Sequence, residues 1–122
     1  EPYPPYNIEK TAEDGWRITV AVAGFTEDEL SVEVRDNALF IAARKAEDGA
    51  EHTWLHRGIA TRAFERRFAL AEHVRVTGAT HVNGLLHVDL VREVPEALKP
   101  RRIEVTSARA APRPQEVKAI EA

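Results

Sequence analysis

Histidine is the side chain with the greatest potential for chemistry in this sequence. The spacing of the histidines along the chain, however, does not match that of a metal site. The five copies are His52, His56, His73, His81 and His87. Only His52 and His56 lie four residues apart, and they fall in a glycine-flanked loop without the intervening glutamate of a helical zinc motif. We interpret this pair as surface residues and His81 and His87 as ordinary strand residues. The sequence therefore predicts no metal and no cofactor.

Nucleophiles and paired carboxylates are equally poor candidates for catalysis. Ser31 and Ser107 are the only serines, and neither lies in the G-x-S-x-G context of a hydrolase nucleophile. Cysteine is absent, which excludes thiol catalysis, disulfides and cysteine-bound zinc. The acidic run Glu27, Asp28 and Glu29 is typical of a solvated turn rather than of an acid–base pair. We therefore predict that the protein is not an enzyme.

The composition favours one soluble globular domain. The 122 residues are 43% hydrophobic and 30% charged, which suffices for a modest core. The net charge of -3 and the pI near 6.0 argue against a nucleic-acid partner held by phosphate contacts. No segment has the length of a membrane span or the pattern of a signal peptide, and the lack of cysteine fits a cytoplasmic location. Because the sequence begins with Glu1 rather than methionine, we expect that its natural N-terminus is missing.

Alternating apolar residues predict several β-strands. Residues 16–25, 30–35 and 38–44 each alternate with period two, and residues 36–37 mark a turn between the last two segments. Residues 6–9 are expected to add a short edge strand. Strands at this spacing, without a convincing long helix, predict an all-β, immunoglobulin-like antiparallel β-sandwich.

Two segments leave more than one interpretation open. Residues 45–60 form the one long connection, and residues 53–56 within it are expected to form a brief strand. In the segment 62–70, Phe64 and Phe68 lie four residues apart, which fits either a helix face or one face of a strand. The strand would place Arg66 between the two aromatic rings.

A hairpin is predicted over residues 73–91, centred on Asn83-Gly84. A two-residue turn pairs Val82 with Leu85 and separates Val76 from the apolar face of the second arm. A three-residue loop over 82–84 gathers the apolar positions of both arms on one face: Val76, Gly78, Leu86, Val88 and Leu90. We prefer the three-residue loop because a slip of one residue moves every side chain to the wrong face.

Three motifs, in order, resemble the α-crystallin domain of the small heat shock proteins. The stretch AGFTEDELSVEV at 23–34 is similar to the family's pGv-x-x-edi-x-v-x-v pattern. Ala79 followed by NGLLHVDL at 83–90 resembles the A-x-x-x-n-G-x-L signature, and residues 103–105 resemble the C-terminal I-x-I/V anchor. The resemblance covers roughly residues 6–105 and looks most like the bacterial inclusion-body-binding branch.

The resemblance implies an ATP-independent holdase of the stress response. Such a chaperone captures partly unfolded client proteins and passes them to ATP-driven chaperones. The resemblance also implies homodimers that assemble into larger oligomers, in which the segment 45–60 pairs with the first strand of the partner. The implied dimer interface comprises Tyr6, Trp54, Leu55 and Arg66, with Arg66 in an ion pair across the interface or, alternatively, as a plain surface arginine. We expect that the family's apolar N-terminal arm has no counterpart before Tyr6.

Ile103 and Val105 are expected to form an anchor motif. In an extended segment they project to the same side, while Glu104 faces water. They would fill a groove between the edge strands of the two sheets, lined by Leu30, Val32, Val34, Val76 and Gly78. The alternative is that the motif folds back on its own domain.

Two other classes of protein fit the sequence less well. A monomeric co-chaperone of the p23 and CS type, or a generic β-sandwich binding module, shares the sandwich, but the p23 and CS group lacks the long connection and the anchor. An enzyme lacks the catalytic residues considered above. The predicted organisation is a residual N-terminal arm at 1–5, an α-crystallin domain at 6–98, and a C-terminal extension at 99–122 that ends in a polar, disordered tail.

Overall fold

Seven β-strands and two short 3-10 turns make up the regular structure of the residues described here. The structure is a computed structural model that describes residues 3–46, 49, 51–59 and 61–108. The strands are β1 (Tyr6–Ala12), β2 (Gly15–Ala21), β3 (Leu30–Arg35), β4 (Ala38–Ala43), β5 (Phe64–Ala69), β6 (Val74–Val82) and β7 (Leu85–Arg92). The 3-10 turns are Glu27–Glu29 and Glu96–Leu98.

The strands form two antiparallel sheets that pack face to face. The four-stranded sheet has the order β1-β2-β7-β6, and the three-stranded sheet has the order β3-β4-β5. Apolar residues of both sheets meet in one core. The predicted antiparallel β-sandwich is confirmed, and the short edge strand expected at residues 6–9 is the longer strand β1.

Period-two alternation determines which side chains reach the core. Ile18 of β2 is buried and lies opposite the buried Val88 of β7. Leu39 and Ile41 of β4 are fully buried on the facing sheet. Burial of one aliphatic side chain of this size contributes about 1.5–3 kcal/mol. These inward positions are the ones that the alternation predicted.

Residues before β1 pack against the sandwich. The Pro4 side chain is fully buried, and the ring of Tyr3 packs edge-on against Phe64 with 6.0 Å between the centroids. The Tyr3 hydroxyl accepts a hydrogen bond from the backbone N–H of Arg62 at 3.1 Å. Tyr3 and Pro4 therefore contact the domain, whereas residues 1–2 of the predicted arm lie outside the described residues.

The turn of the β6–β7 hairpin differs from the sequence prediction. Val82 pairs with Leu85, so the loop consists of two residues, Asn83 and Gly84, with φ of +52° and +76°. The predicted three-residue loop is wrong. The two-residue turn with both residues in the left-handed region is favoured because its twist matches that of the flanking strands.

A β-bulge in β6 compensates for the shorter turn. The register shifts between Val76 and Gly78, so Thr77 is the extra residue. Val76 consequently lies opposite Leu90 and packs against the core, as predicted. Gly78 lies opposite Asp89 on the outward face, so the prediction that Gly78 shares the apolar face is wrong.

Strand β5 decides between the two interpretations of residues 62–70. Phe64, Arg66 and Phe68 are partly buried on its inner face, while Glu65 and Arg67 are exposed. The strand interpretation is therefore confirmed, with Arg66 between the two aromatic residues.

The long connection contains no strand at residue 49 or residues 51–59, where the structure describes it. The brief strand predicted over 53–56 is wrong for a single chain. A strand requires a neighbouring strand to exchange backbone hydrogen bonds, and within one chain residues 53–56 pair with no other strand. Residues 47, 48, 50 and 60 of this connection lie outside the described residues.

Candidate protein-interaction surfaces

Metal-binding and membrane-spanning features are absent from the part of the chain that the structure describes. No group of three or more histidine, cysteine or acidic side chains in this part could hold a metal ion. No helix there has the length and apolar character needed to span a bilayer. The features that point to function are instead the open edges of the two sheets.

A groove of about 390 Å³ lies between β3 and β6, which are edge strands of different sheets. Leu30 and Val32 project into it from β3. Ala79 and His81 project from β6 because each pairs with a buried residue of β7. The full lining is Glu27, Leu30, Val32, Ala79, Thr80, His81 and Leu86. A groove between two strand edges, with Leu30, Val32 and Leu86 in its lining, fits an extended segment with apolar side chains at alternate positions.

The structure brings together only part of the predicted groove set. Leu30 and Val32 line the groove itself. Val34 continues the same row of β3 and is about half exposed, while Val76 lies on the inner face of β6. Gly78 is on the other face of the sheet.

Ala79 and His81 are the groove residues that sequence reasoning missed. Both would have been found from the Asn83-Gly84 dipeptide, which is the strongest short signal for a two-residue turn. Counting back from that turn places His81 opposite Leu86 on the apolar face. A three-residue loop places Gly78 on the apolar face instead.

The predicted anchor residues are not buried by their own chain. Ile103 is 69% exposed and Val105 is 93% exposed. Both follow the 3-10 turn Glu96–Leu98 in a segment without regular secondary structure. The fold-back alternative is therefore not the arrangement of this structure.

Strand β1 is one of the two edges of the four-stranded sheet, and all seven of its residues are exposed. The ring of Tyr6 packs edge-on against Phe68 at 5.3 Å between centroids. The guanidinium carbon of Arg66 lies 4.7 Å from the centroid of the same Tyr6 ring. The structure thus brings together two of the predicted dimer-interface residues, Tyr6 and Arg66, next to an unpaired strand edge.

The other two predicted interface residues lie in the long connection. Trp54 is about half exposed and Leu55 is fully exposed. The guanidinium carbon of Arg57 lies 5.2 Å from the Trp54 ring centroid. Large apolar side chains held in water within one segment are typical of an interaction surface.

Glu29 connects the acidic turn to the start of the long connection. Its side chain is only 7% exposed. Oε1 accepts a hydrogen bond from the Thr26 backbone N–H at 2.9 Å, and Oε2 accepts one from the Ala46 backbone N–H at 2.5 Å. These backbone donors, followed by the Lys45 ammonium, hold the pKa of Glu29 below its ordinary value. The prediction of a solvated turn fits Glu27 and Asp28, which are exposed, but it is wrong for Glu29.

The outer face of the four-stranded sheet carries one bidentate ion pair. The Nε and Nη2 atoms of Arg17 donate to the two carboxylate oxygens of Asp89 at 2.7 and 3.1 Å. This interaction with Arg17 is the main reason that the pKa of Asp89 lies below its ordinary value. The pair joins neighbouring strands and faces away from both interaction surfaces.

The arrangement defines a class of protein. An antiparallel sandwich with a free edge strand, a long exposed connection and an exposed I-x-V segment matches the architecture expected of an α-crystallin domain. The family model of the Hsp20/alpha crystallin family matches residues 8–106. The chain therefore belongs to the Hsp20/alpha crystallin family, the small heat shock proteins, and it is a chaperone.

Known relatives agree with this assignment. The small heat shock protein IbpA of Yersinia pestis (strain Pestoides F) is 54% identical over 103 residues, which cover 84% of this chain and 75% of that protein. The solved structure of the C-terminally truncated small heat shock protein AgsA from Salmonella typhimurium is similar, with a TM-score of 0.71 and 34% identity, covering 85% of this chain and all of that one.

A small heat shock protein from Synechococcus phage S-ShM2 also shares the fold. Its TM-score is 0.66 at 34% identity, covering 85% of this chain and all of that chain. These similarities confirm the predicted family and chaperone function, and they do not favour a co-chaperone of the p23 and CS type.

Proposed function

We propose that this chain is an ATP-independent holdase that binds partly unfolded client proteins and keeps them from aggregating. The observation that carries the proposal is that an open groove with apolar side chains in its lining coexists with an apolar anchor segment left in water. A surface that accepts extended apolar segments can also accept the exposed segments of an unfolding protein. The sequence has no glycine-rich phosphate-binding loop, and we propose that the protein acts without ATP and without enzymatic turnover.

The anchor of one copy docks in the groove of another copy. The side chains of Ile103 and Val105 both enter the groove, and the side chain of Glu104 between them stays in water. Burial of both side chains contributes on the order of 3–5 kcal/mol, from which the cost of ordering the segment is subtracted. The resulting contact is weak and reversible, which suits an assembly that exchanges subunits and releases surface to clients.

Homodimers form by exchange of the segment 45–60. The crossing segment adds a strand beside the free edge of β1 of the partner, where Tyr6 and Arg66 already lie in contact. Trp54 and Leu55 become buried as the anchors of the exchanged strand. Arg66 then forms an ion pair with an acidic side chain across the interface.

The proposed interfaces also determine how the protein assembles and which partners it has in the cell. Dimers built through the domain at 6–98 assemble into larger oligomers through the extension at 99–122, whose residues beyond 108 lie outside the described residues. The oligomers act in the cytoplasm, without a nucleic-acid partner, and pass their clients to ATP-driven chaperones.

Light scattering of a heat-labile client in the absence of ATP tests the holdase activity. The client is heated alone, with this protein, and with an unrelated β-sandwich protein at the same concentration. We expect scattering to fall only with this protein, in proportion to its molar ratio to client. Unchanged scattering at a molar excess of the protein would reject the holdase proposal.

The mass of the protein in solution tests the exchange dimer. Multi-angle light scattering at roughly micromolar concentration is expected to give twice the chain mass or a multiple of it. A single monomeric mass under these conditions would contradict the exchange of the 45–60 segment.

A further inference from the structure

The acidic turn Glu27–Glu29 lies between the two proposed interaction surfaces. Glu27 and the following Leu30 line the groove between β3 and β6. Glu29 instead contacts the residues at which the long connection leaves β4. One turn therefore connects the wall of the anchor groove to the base of the segment that we propose to cross between subunits.

Glu29 holds three consecutive residues after the end of β4. Its carbonyl oxygen accepts a hydrogen bond from the Arg44 backbone N–H at 2.9 Å. Its carboxylate accepts from the Ala46 backbone N–H at 2.5 Å and lies 3.6 Å from the Lys45 ammonium. Strand β4 ends at Ala43, so these contacts determine the direction of the chain just beyond the sheet.

Lys45 adds a second attachment at the same place. Its ammonium donates to the carbonyl oxygen of Gly24 at 2.7 Å. Glu29 is in turn held by its own turn, because its Oε1 accepts from the Thr26 backbone N–H. The carboxylate is almost fully covered, so its hydrogen bonds are protected from competition with water.

We propose that Glu29 is a positioning residue for dimer formation. By fixing residues 44–46, it directs the segment 45–60 away from its own sandwich and lowers the entropy lost when that segment orders on a partner. Glu29 itself makes no contact with the partner. This role rests on the proposed exchange of the 45–60 segment and adds the residue that controls it.

The test compares dimer dissociation constants of the full chain and its variants by dilution and mass measurement. Glu29→Ala removes the carboxylate that accepts from the Thr26 and Ala46 backbone N–H groups, keeps the carbonyl bond to Arg44, and is expected to raise the dimer Kd about tenfold. Glu29→Gln retains one amide oxygen as acceptor and is expected to give a smaller rise. Asp28→Asn is the matched control, because Asp28 lies in the same turn but accepts only from the Thr26 hydroxyl, at 2.6 Å. It is expected to dimerise as the parent does.

A second readout separates positioning from a general loss of stability. The affinity of each variant for a peptide of residues 99–107 reports on the anchor groove, which Glu29 does not line. A positioning role predicts a weaker dimer with unchanged peptide affinity. Asp89→Asn is a control for stability, because it weakens the remote ion pair with Arg17. It is expected to lower the melting temperature and to leave the dimer Kd no higher than that of Asp28→Asn.

Three outcomes would overturn the inference. If Glu29→Ala dimerises as tightly as the parent, the positioning role is wrong and the exchange dimer stands. If Glu29→Ala loses peptide affinity by the same factor as dimer affinity, Glu29 has only a structural role. If the parent itself is a monomer, the exchange dimer fails and the positioning role fails with it.

Discussion

At the scale of single residues, two carboxylates show how their surroundings set their roles. Asp89 pairs with the guanidinium of Arg17 on the outer face of a sheet, where it joins two strands. Glu29 receives backbone N–H groups from two separate segments and joins a turn to a long connection. Both have a lowered pKa, but only Glu29 lies where a change in geometry reaches a proposed interface.

The Arg17–Asp89 pair predicts an acid-sensitive part of the stability. The pKa of Asp89 is lower in the folded chain than its ordinary value of 3.8. The ionised carboxylate therefore contributes fully to the free energy of unfolding above pH 3.8, and this contribution is lost as the pH falls through the pKa of the folded chain. We expect the difference in free energy of unfolding between the parent and Asp89→Asn to be larger at about pH 5 than at about pH 3. Urea titrations at both pH values measure it, and a difference that stays constant would contradict the assigned role of the pair.

Because Val32 lines the groove, a charged side chain at this position should weaken docking of the anchor. With Val32→Asp, anchor docking would bury an unpaired carboxylate, which costs about 2 kcal/mol or more and should weaken peptide binding at least about thirtyfold. Ser31→Asp is the matched control, because Ser31 is the neighbouring residue on the exposed outer face of β3. Isothermal titration with a peptide of residues 99–107 compares them. Equal weakening by both substitutions would contradict docking of the anchor against the inner face of β3.

At the scale of elements, the β6–β7 hairpin shows why register decides the site. The two-residue turn and the bulge at Thr77 together bring Val76, Ala79 and His81 to the inner face. With only one of these two features, some of these side chains would point to the outer face, because a shift of one residue moves each side chain of a strand to the opposite face of the sheet.

Two glycines of this hairpin should respond differently to alanine. Gly84 has a φ of +76°, and an added Cβ would lie 3.4 Å from the Cβ of Ala23, so Gly84→Ala should destabilise the chain by about 1–2 kcal/mol. Gly78 has an ordinary φ and nothing within 4 Å of an added Cβ, so Gly78→Ala should stabilise it by about 0.5 kcal/mol. Thermal melting of both variants measures the contrast, and a loss of stability at Gly78 would contradict the placement of the bulge.

The strand faces could be predicted from the sequence, but the bulge could not. Alternation is local, so the buried positions of β2 and β4 follow from their own residues. The bulge depends on how β6 pairs with β7. It could be inferred only by combining the two-residue turn at Asn83-Gly84 with the inward position of Val76, because the two fit together only if β6 has one extra residue. The apolar pattern alone favours a three-residue loop and therefore places Gly78 on the wrong face.

Contacts between distant segments were the other features that the sequence did not predict. The run of acidic residues has the composition of a solvated turn, and the burial of Glu29 arises from Ala46, which is 17 residues away. The proline-rich start has the composition of an extended arm, whereas Tyr3 packs against Phe64. In both cases the local pattern is correct and tertiary packing adds a contact that has no local signal.

At the scale of the whole molecule, the two open edges involve different pairs of strands. The anchor groove lies between β3 and β6, while the contacts of the free edge join β1 to β5. Because each sheet has one edge at each surface, a dimer partner and an anchor can bind the same sandwich at the same time. In the proposed assembly, anchors that join unlike surfaces of successive copies would build larger species from dimers.

We propose that the groove between β3 and β6 receives Ile103 and Val105 of another copy. The most direct measurement titrates a peptide of residues 99–107 onto a chain that ends at Leu98. We expect saturable binding that persists for Glu104→Ala in the peptide and is lost when both Ile103 and Val105 are replaced by glycine. Absence of binding at roughly millimolar peptide, or equal binding by the double-glycine peptide, would contradict it.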